Sequence, residues 1–526
     1  MKRIALALPL LVLSPGVVKS QDHAHPQGGR EVLGTVHFAT SCSPAIEPRF
    51  DRAIALLHSF EFGAAIKGFE EVIAADSTCA MAQWGIALSR WSNPMAAGNR
   101  SPEQLRPGRL AAETAVRLSA GATERERGYI NAVAELYKDF EQLDQRTRFA
   151  SYVRAMDDLS SKEVADNEAR IFFAIALAAS ALPTDKTYAN QRKAGAILEA
   201  LWAKQPNHPG LAHYIIHSYD VPALAKEAAA AAKRYSVIAP SAAHALHMPS
   251  HTFTRVGMWG ESIEVNLRSM EVAMRSTAIG EALHAADYAE YAYLQLRRER
   301  DAKGILDKLP GLAARFDVNA ITGAAPGQAG VFALAAIPAR YALERREWSE
   351  AAALEPKSSA FPWTEAMTHF ARALGASRTG DLAKTRASID SLSAIRDRLA
   401  AKGEAYWSEQ VAIQHLAAQA WLDLTEKRPD MALTRMREAA TREDATEKSA
   451  VTPGPLAPAR ELLGDMLLAL SRPADALAEY RATLAKEPNR YLATHGLMRA
   501  AAASGDRKTE ANARASIQAL TGRTLQ

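Results

Sequence analysis

From about residue 37 to the C-terminus, apolar positions recur at spacings of three and four, in stretches of roughly 12 to 16 residues. Alanine and leucine fill most of these positions, and alternating β-branched runs are almost absent. Prolines at 44, 94, 183, 206, 240, 310, 356, 429 and 488 punctuate the pattern. Proline removes a backbone donor and ends or starts a helix, so the chain reads as many short amphipathic helices with no sheet. The first twenty residues break this pattern. Lys2 and Arg3 precede the apolar run Ile4–Leu13, a Ser14-Pro15-Gly16 break and small residues ending at Ser20. That is the layout of a secretory signal peptide, and the run is too short to span a bilayer. The expected organisation is a signal peptide over 1–20 and a flexible tail over 21–36. Helical repeats follow over 37–205, His-rich central repeats over 206–310 and further helical repeats over 311–526. The expected location is periplasmic or secreted. No later run offers 18 uninterrupted apolar residues, so no membrane span is expected after cleavage.

A repeat is visible within the helical body. Gly464, Ala476, Tyr480 and Pro488 lie at offsets of 0, 12, 16 and 24. Small residues let helices approach, the tyrosine fills the gap between them and the proline ends the second helix. Ala194, Leu198 and Pro206 fit the second half of such a unit. Ala65 with Phe69, and Ala371 with Ala383 and Ala387, fit more loosely. Trp363–Arg386 and Leu463–Pro488 are the cleanest hairpins. These residues resemble the tetratricopeptide repeat, a helix–turn–helix unit. Longer segments resemble a subgroup of exported bacterial proteins of that class. They are His37–Cys42, Cys79–Gly85, Lys186–Gln191, Ala212–Asp220, His244–Thr254 (within Ala-His-Ala-Leu-His-Met-Pro-Ser-His) and Glu443–Pro455. The resemblance implies an all-α solenoid of about 8 to 12 antiparallel helix pairs with a concave groove. Peptide or protein binding is the usual role of such a groove.

Composition narrows this further. Of 526 residues, 48% are hydrophobic and 23% charged, which excludes wholesale disorder. The net charge of +4 falls to +1 once Lys2, Arg3 and Lys19 leave with the signal, so no nucleic-acid partner is expected. Two cysteines exclude a disulfide scaffold or a Cys-rich metal site. Export permits a Cys42–Cys79 disulfide, which would stabilise the fold by about 4 kcal/mol in the chain-entropy model. The alternative is two unpaired buried thiols.

Seven of the 14 histidines lie between His208 and His284. The motifs are His213-x-x-x-His217 with Asp220, His244-x-x-His247-x-x-x-His251, and His284-x-x-Asp287 with Tyr291. Spacings of three and four share one helix face. In the repeat register that the resemblance supplies, groove-lining positions are 2, 5, 9 and 12. Counting from Pro206 places His213, His217 and Asp220 at 5, 9 and 12. Counting from Pro240 places His244, His247 and His251 at 2, 5 and 9. Anchored on Ala302, His284, Asp287 and Tyr291 take 2, 5 and 9. His208 reaches the edge of this stretch.

Converging imidazoles with a carboxylate suit a transition metal; copper, zinc and iron all accept such donors. The expected ligands are His213, His217, His244, His247, His251 and His284. Asp220 and Asp287 are ligands or tautomer-fixing acceptors, and with Tyr291 they are the candidate proton carriers of a metal-dependent hydrolase or oxidoreductase. Arg255, Tyr288 and His208 are candidate contacts to a small molecule or peptide, and Asp185, Lys186 and Tyr188 lie in a loop that could reach it. Pro249 should displace or kink its helix beside His247. Met248 reads as core. The alternatives are a metal-free groove binding a peptide or partner protein, and structural hydrogen bonding. Gln21-Asp22-His23 would form a second, square-planar copper or nickel site at the mature N-terminus; a floppy tail is the plainer reading. The Pro-rich stretch 441–458 reads as an ordinary ordered loop, with folding back over the groove as the alternative. Phosphate-loop, nucleophile-elbow, dinucleotide and His-Glu-x-x-His motifs are absent.

Overall fold

The computed structural model describes residues 31–96 and 99–523. The signal-peptide, mature N-terminal metal-site and tail expectations before residue 31 therefore lie outside the described residues. Among those described, every regular element is a helix. Alanine-rich apolar stripes supply the packing faces. Side-chain caps at Ser101, Thr123, Asp144, Asp166 and Asp381 satisfy first-turn amides. Left-handed glycines at 257, 380 and 505 end helices.

Each helix packs chiefly on its neighbours in sequence, as antiparallel pairs. Trp259–Arg275 with Ile279–Gln295, Pro362–Thr379 with Leu382–Ala401, and Ala405–Thr425 with Pro429–Asp444 are among the most extensive. The repeat register has a direct physical basis in Ala459–Ala469 and Pro473–Lys486. The Tyr480 ring lies so close to Gly464 and Gly496 that a Cβ there would stand 2.8 and 2.3 Å from it. Only glycine admits the ring at both places.

From Val32 onward the chain forms one compact unit. Apolar clusters occupy its N-terminal, central and C-terminal parts. Segments far apart in sequence meet. Trp259 Nε1 donates to the Asn489 carbonyl at 2.9 Å, and Asn489 Nδ2 to the Gly257 carbonyl at 3.2 Å. The Gly63 amide donates to Thr322 O at 3.1 Å. Lys186 Nζ reaches Thr446 O at 2.8 Å and Glu447 at 2.6 Å.

Two expectations change here. Residues 32–36, assigned to a flexible tail, are tied down. Val32 donates to Ser241 Oγ at 2.9 Å and Thr35 to Asn207 O at 2.9 Å, because Gly34 takes φ +86° and brings the strand-like arm against the 206–209 turn. The stretch after Asp444 is not a plain surface loop but crosses the groove. Cys42 and Cys79 are joined in a disulfide, with Cα atoms 5.1 Å apart. Among the described residues no helix is long and apolar enough to cross a membrane.

Candidate metal centre

Four helices carry the histidines: Pro209–Ser218, Ala243–His247, Pro249–Val256 and Ile279–Gln295. Pro249 is what separates the second from the third. It occupies the first position of its helix, where a missing amide costs nothing. The turn across it tightens, with the His251 amide donating to Met248 O at 3.1 Å. His244 and His247, three apart, consequently face different partners.

The six imidazoles fall into two sets of three. The candidate ligand atoms of His213, His217 and His244 all lie within 4.8 Å of one another, and so do those of His247, His251 and His284. All six residues are between 0% and 4% exposed. In the first set His244 Nε2 stands 3.1 Å from His213 Nε2. In the second, His247 Nε2 stands 3.0 Å from His251 Nε2. The sets adjoin, with ring centroids of His217 and His251 6.0 Å apart and those of His244 and His247 5.9 Å apart.

The far nitrogens are anchored. His213 Nδ1 donates to His58 O at 2.6 Å, and His247 Nδ1 to Asn266 Oδ1 at 2.7 Å. His251 Nδ1 donates to Asp220 Oδ2 at 2.8 Å. A proton on Nδ1 leaves a lone pair on Nε2. His247 and His251 thus point two lone pairs at each other. Facing lone pairs need a cation between them, either a proton or a metal ion. Burial holds His213, His217, His244, His247 and His284 well below the usual imidazole pKa, and lowers His251 despite Asp220. Two nitrogens bound to one ion at 2.0–2.1 Å in tetrahedral geometry stand about 3.4 Å apart, close to these separations. His217 Nε2, His244 Nδ1 and His284 Nδ1 have no hydrogen-bond partner.

Asp220 organises the rim. It accepts from Arg255 Nε at 2.9 Å and Lys448 Nζ at 3.2 Å as well as His251. Burial alone would raise its pKa, but these cations hold it well below the usual carboxylate range. Tyr288 OH lies 3.4 Å from His251 Nδ1 and donates to Thr452 O at 3.0 Å. Lys448 and Thr452 belong to the crossing segment, so the segment closes directly over the histidines. Tyr188 OH and Tyr406 OH hold the same segment through Glu447, at 2.8 and 3.1 Å. Asp185 caps its own turn through Thr187. A second cover comes from 324–326, where Asn93 Nδ2 donates to Ala324 O at 3.3 Å.

Three of the expected residues stand apart from the imidazoles. The Asp287 carboxylate pairs with Arg340, and burial raises its pKa in spite of that partner. Tyr291 bonds Arg490 Nη1 at 2.9 Å and Glu487 at 3.2 Å. Both side chains lie on the flank of Ile279–Gln295 that adjoins His284 and Tyr288, three to seven positions along the same helix, so register alone could not separate them. His208 instead joins a distinct buried triad: His208 Nε2 and His58 Nε2 each lie 2.8 Å from Glu168. Burial pushes Glu168 up, but the two histidines outweigh it and hold it below its usual pKa. Met248 is 0% exposed and belongs to the apolar core.

Sequence reasoning did not find His58, Asn266, Glu168 or Lys448. None lies within the histidine-dense stretch at helical spacing, and no local signal could have found them. Glu61 and Glu281, buried near His244, were missed too; burial raises them to about 8 and about 7. A solvent-open cleft adjoins the site. Trp363, Trp407, Phe332 and Tyr291 line it, and it shares Arg255 and Lys448 with the rim of the histidine cluster.

Fold and site together define an all-α protein of paired helices with a sealed histidine-rich centre beside an aromatic cleft. No family model matches the chain, and no curated protein does. Solved structures give distant likenesses. The Cut9–Hcn1 hetero-tetramer is 12% identical, with 86% of this chain and 76% of that chain covered and a TM-score of 0.36. Yeast Tom70 is 12% identical, with 88% and 96% covered and a TM-score of 0.32. A monomeric mutant of IFIT1 with Gppp-AAAA is 10% identical, with 91% and 96% covered and a TM-score of 0.39. These values are too low to carry a functional argument.

Proposed function

We propose that this chain is an exported helical-repeat protein whose histidine centre binds a transition metal and whose aromatic cleft takes a ligand. The pair His247 Nε2 and His251 Nε2, 3.0 Å apart with both Nδ1 atoms held by oxygen acceptors, carries the reading. Copper, zinc and iron all fit an all-nitrogen donor set. As an enzyme it is a metal-dependent hydrolase or oxidoreductase. Tyr288, Asp220 and Lys448 are the proton-carrying groups at the rim, and Tyr291 faces the ligand in the cleft. Export is supported by the Lys2–Ser20 pattern and by the disulfide, which forms in oxidising compartments.

A second reading is a metal-free scaffold that holds a peptide or partner protein in the cleft, whose tryptophans favour it. Elemental analysis of protein purified from the periplasm separates the two. The metal reading expects bound transition metal that falls on replacing His213 and His247 with alanine. Less than about 0.2 ions per chain, unchanged by those substitutions, would sink it.

A further inference from the structure

One ion is the simplest occupant of a histidine cluster, yet this cluster has six imidazoles, twice the three protein ligands of a catalytic tetrahedral ion. Catalytic ions of this kind take three protein ligands and keep one position open. Here three imidazoles gather around each of two points. The anchors are also duplicated: His58 O orients the first set, while Asn266 and Asp220 orient the second. Each set contains one close Nε2 pair, at 3.1 and 3.0 Å.

A shared cavity supports the same division. His217 and His244 of the first set and His251 and His284 of the second line it, and Asn93, Ala324–Pro326, Ala450 and Val451 close it. It has room for about one water molecule. Three of the unpartnered nitrogens, on His217, His244 and His284, belong to these cavity-lining residues. The walls besides histidine are small or apolar, apart from Asn93. The cavity therefore offers few competing donors, and its chemistry belongs to the imidazoles.

We propose that the six histidines hold two transition-metal ions, one per set, whose open positions face each other across this shared cavity. The proposal rests on the metal reading above and adds nuclearity and the exchangeable ligand. Two-metal centres with ions about 3.5–4 Å apart clamp a small ligand between them. The ligand class here is a small oxygen species from solvent, because the cavity is too small for more. A larger substrate stays in the neighbouring cleft and meets the pair at the shared Arg255–Lys448 rim.

The test loads the full mature chain carrying His23→Ala, which removes the N-terminal copper site, with Cu(II) alone, clears loose metal on a desalting column, and measures copper by elemental analysis and electron paramagnetic resonance. The expected result is about two coppers per chain with a signal well below two spins, since ions sharing a bridging ligand couple magnetically. His213→Gln and His284→Gln should each retain about one copper per chain and recover a full one-spin signal. Circular dichroism checks that both variants fold, and the stoichiometry of the parent chain decides without them. One copper per chain in the parent, lost in both variants, overturns the pair while leaving the metal reading intact. Two coppers with a full two-spin signal overturn the shared cavity ligand. Parallel loads with Zn(II) alone and Fe(II) alone complete the test, and no retained metal in any of the three overturns the metal reading itself.

Discussion

His247 keeps its Nδ1 proton on Asn266 because no other acceptor stands closer, and the bond fixes which nitrogen remains bare. Asn266 is itself held, its Nδ2 donating to Ser262 O at 2.7 Å, so the amide cannot rotate freely. Such outer partners typically contribute 10- to 100-fold to metal affinity. Asn266→Leu keeps the volume and removes the acceptor. It is expected to weaken metal binding by about 10- to 100-fold in competition with a chelator, while the circular dichroism spectrum is unchanged. An unchanged affinity would show that His247 needs no such anchor. At this scale the sequence identified the six imidazoles, since their spacing and residue type are local facts. Their anchors were illegible. A backbone carbonyl at His58 and an amide at Asn266 carry no mark in a sequence.

Among elements, the helix Pro249–Val256 matters most, because it brings His251 Nε2 to 3.0 Å from His247 Nε2 and ends at the contact with the 488–489 turn. Gly257 terminates it at φ +73°, and a Cβ there would stand 2.3 Å from Pro488 O. Gly257→Ala therefore meets both backbone strain and a clash with the main chain. A loss of about 1–3 kcal/mol in denaturant unfolding is expected, and a variant as stable as wild type would contradict this contact. The alanine–leucine periodicity made the helices readable. The element that escaped was the segment after Asp444. Its prolines and charges fit a surface loop equally well, and only partners such as Asp220 and Tyr288, more than 150 positions away, hold it across the groove.

Across the whole molecule, distant helices are clamped by buried charge. Arg490 bonds Glu461 through Nε at 2.7 Å and Nη2 at 3.0 Å, and its Nη2 lies 2.6 Å from Glu344. Two carboxylates thus share one guanidinium. Burial, with the Glu344 charge adding to it against Arg490, raises Glu461 to about 7. A raised carboxyl pKa gives stability that is full below the ordinary value and lost as pH rises through about 7. The Glu461 contribution to stability in thermal unfolding should therefore fall from pH 5 to pH 8, against the opposite slope that the buried neutral histidines supply. Glu461→Gln should remove on the order of 2 kcal/mol of that loss, and equal pH slopes in both proteins would refute it. The same closure explains the site. Periodicity, proline spacing and residue type determined by themselves that the chain is helical, that its pairs repeat and that half its histidines share a few helices. Only the tertiary structure decided that His244 joins His213 and His217 while His247 joins His284. It also directed Asp287 and Tyr291 to arginines and sealed the groove with two crossing segments. Periodicity is set by each residue's own neighbours along a helix, whereas those choices depend on where helices hundreds of residues apart come to rest.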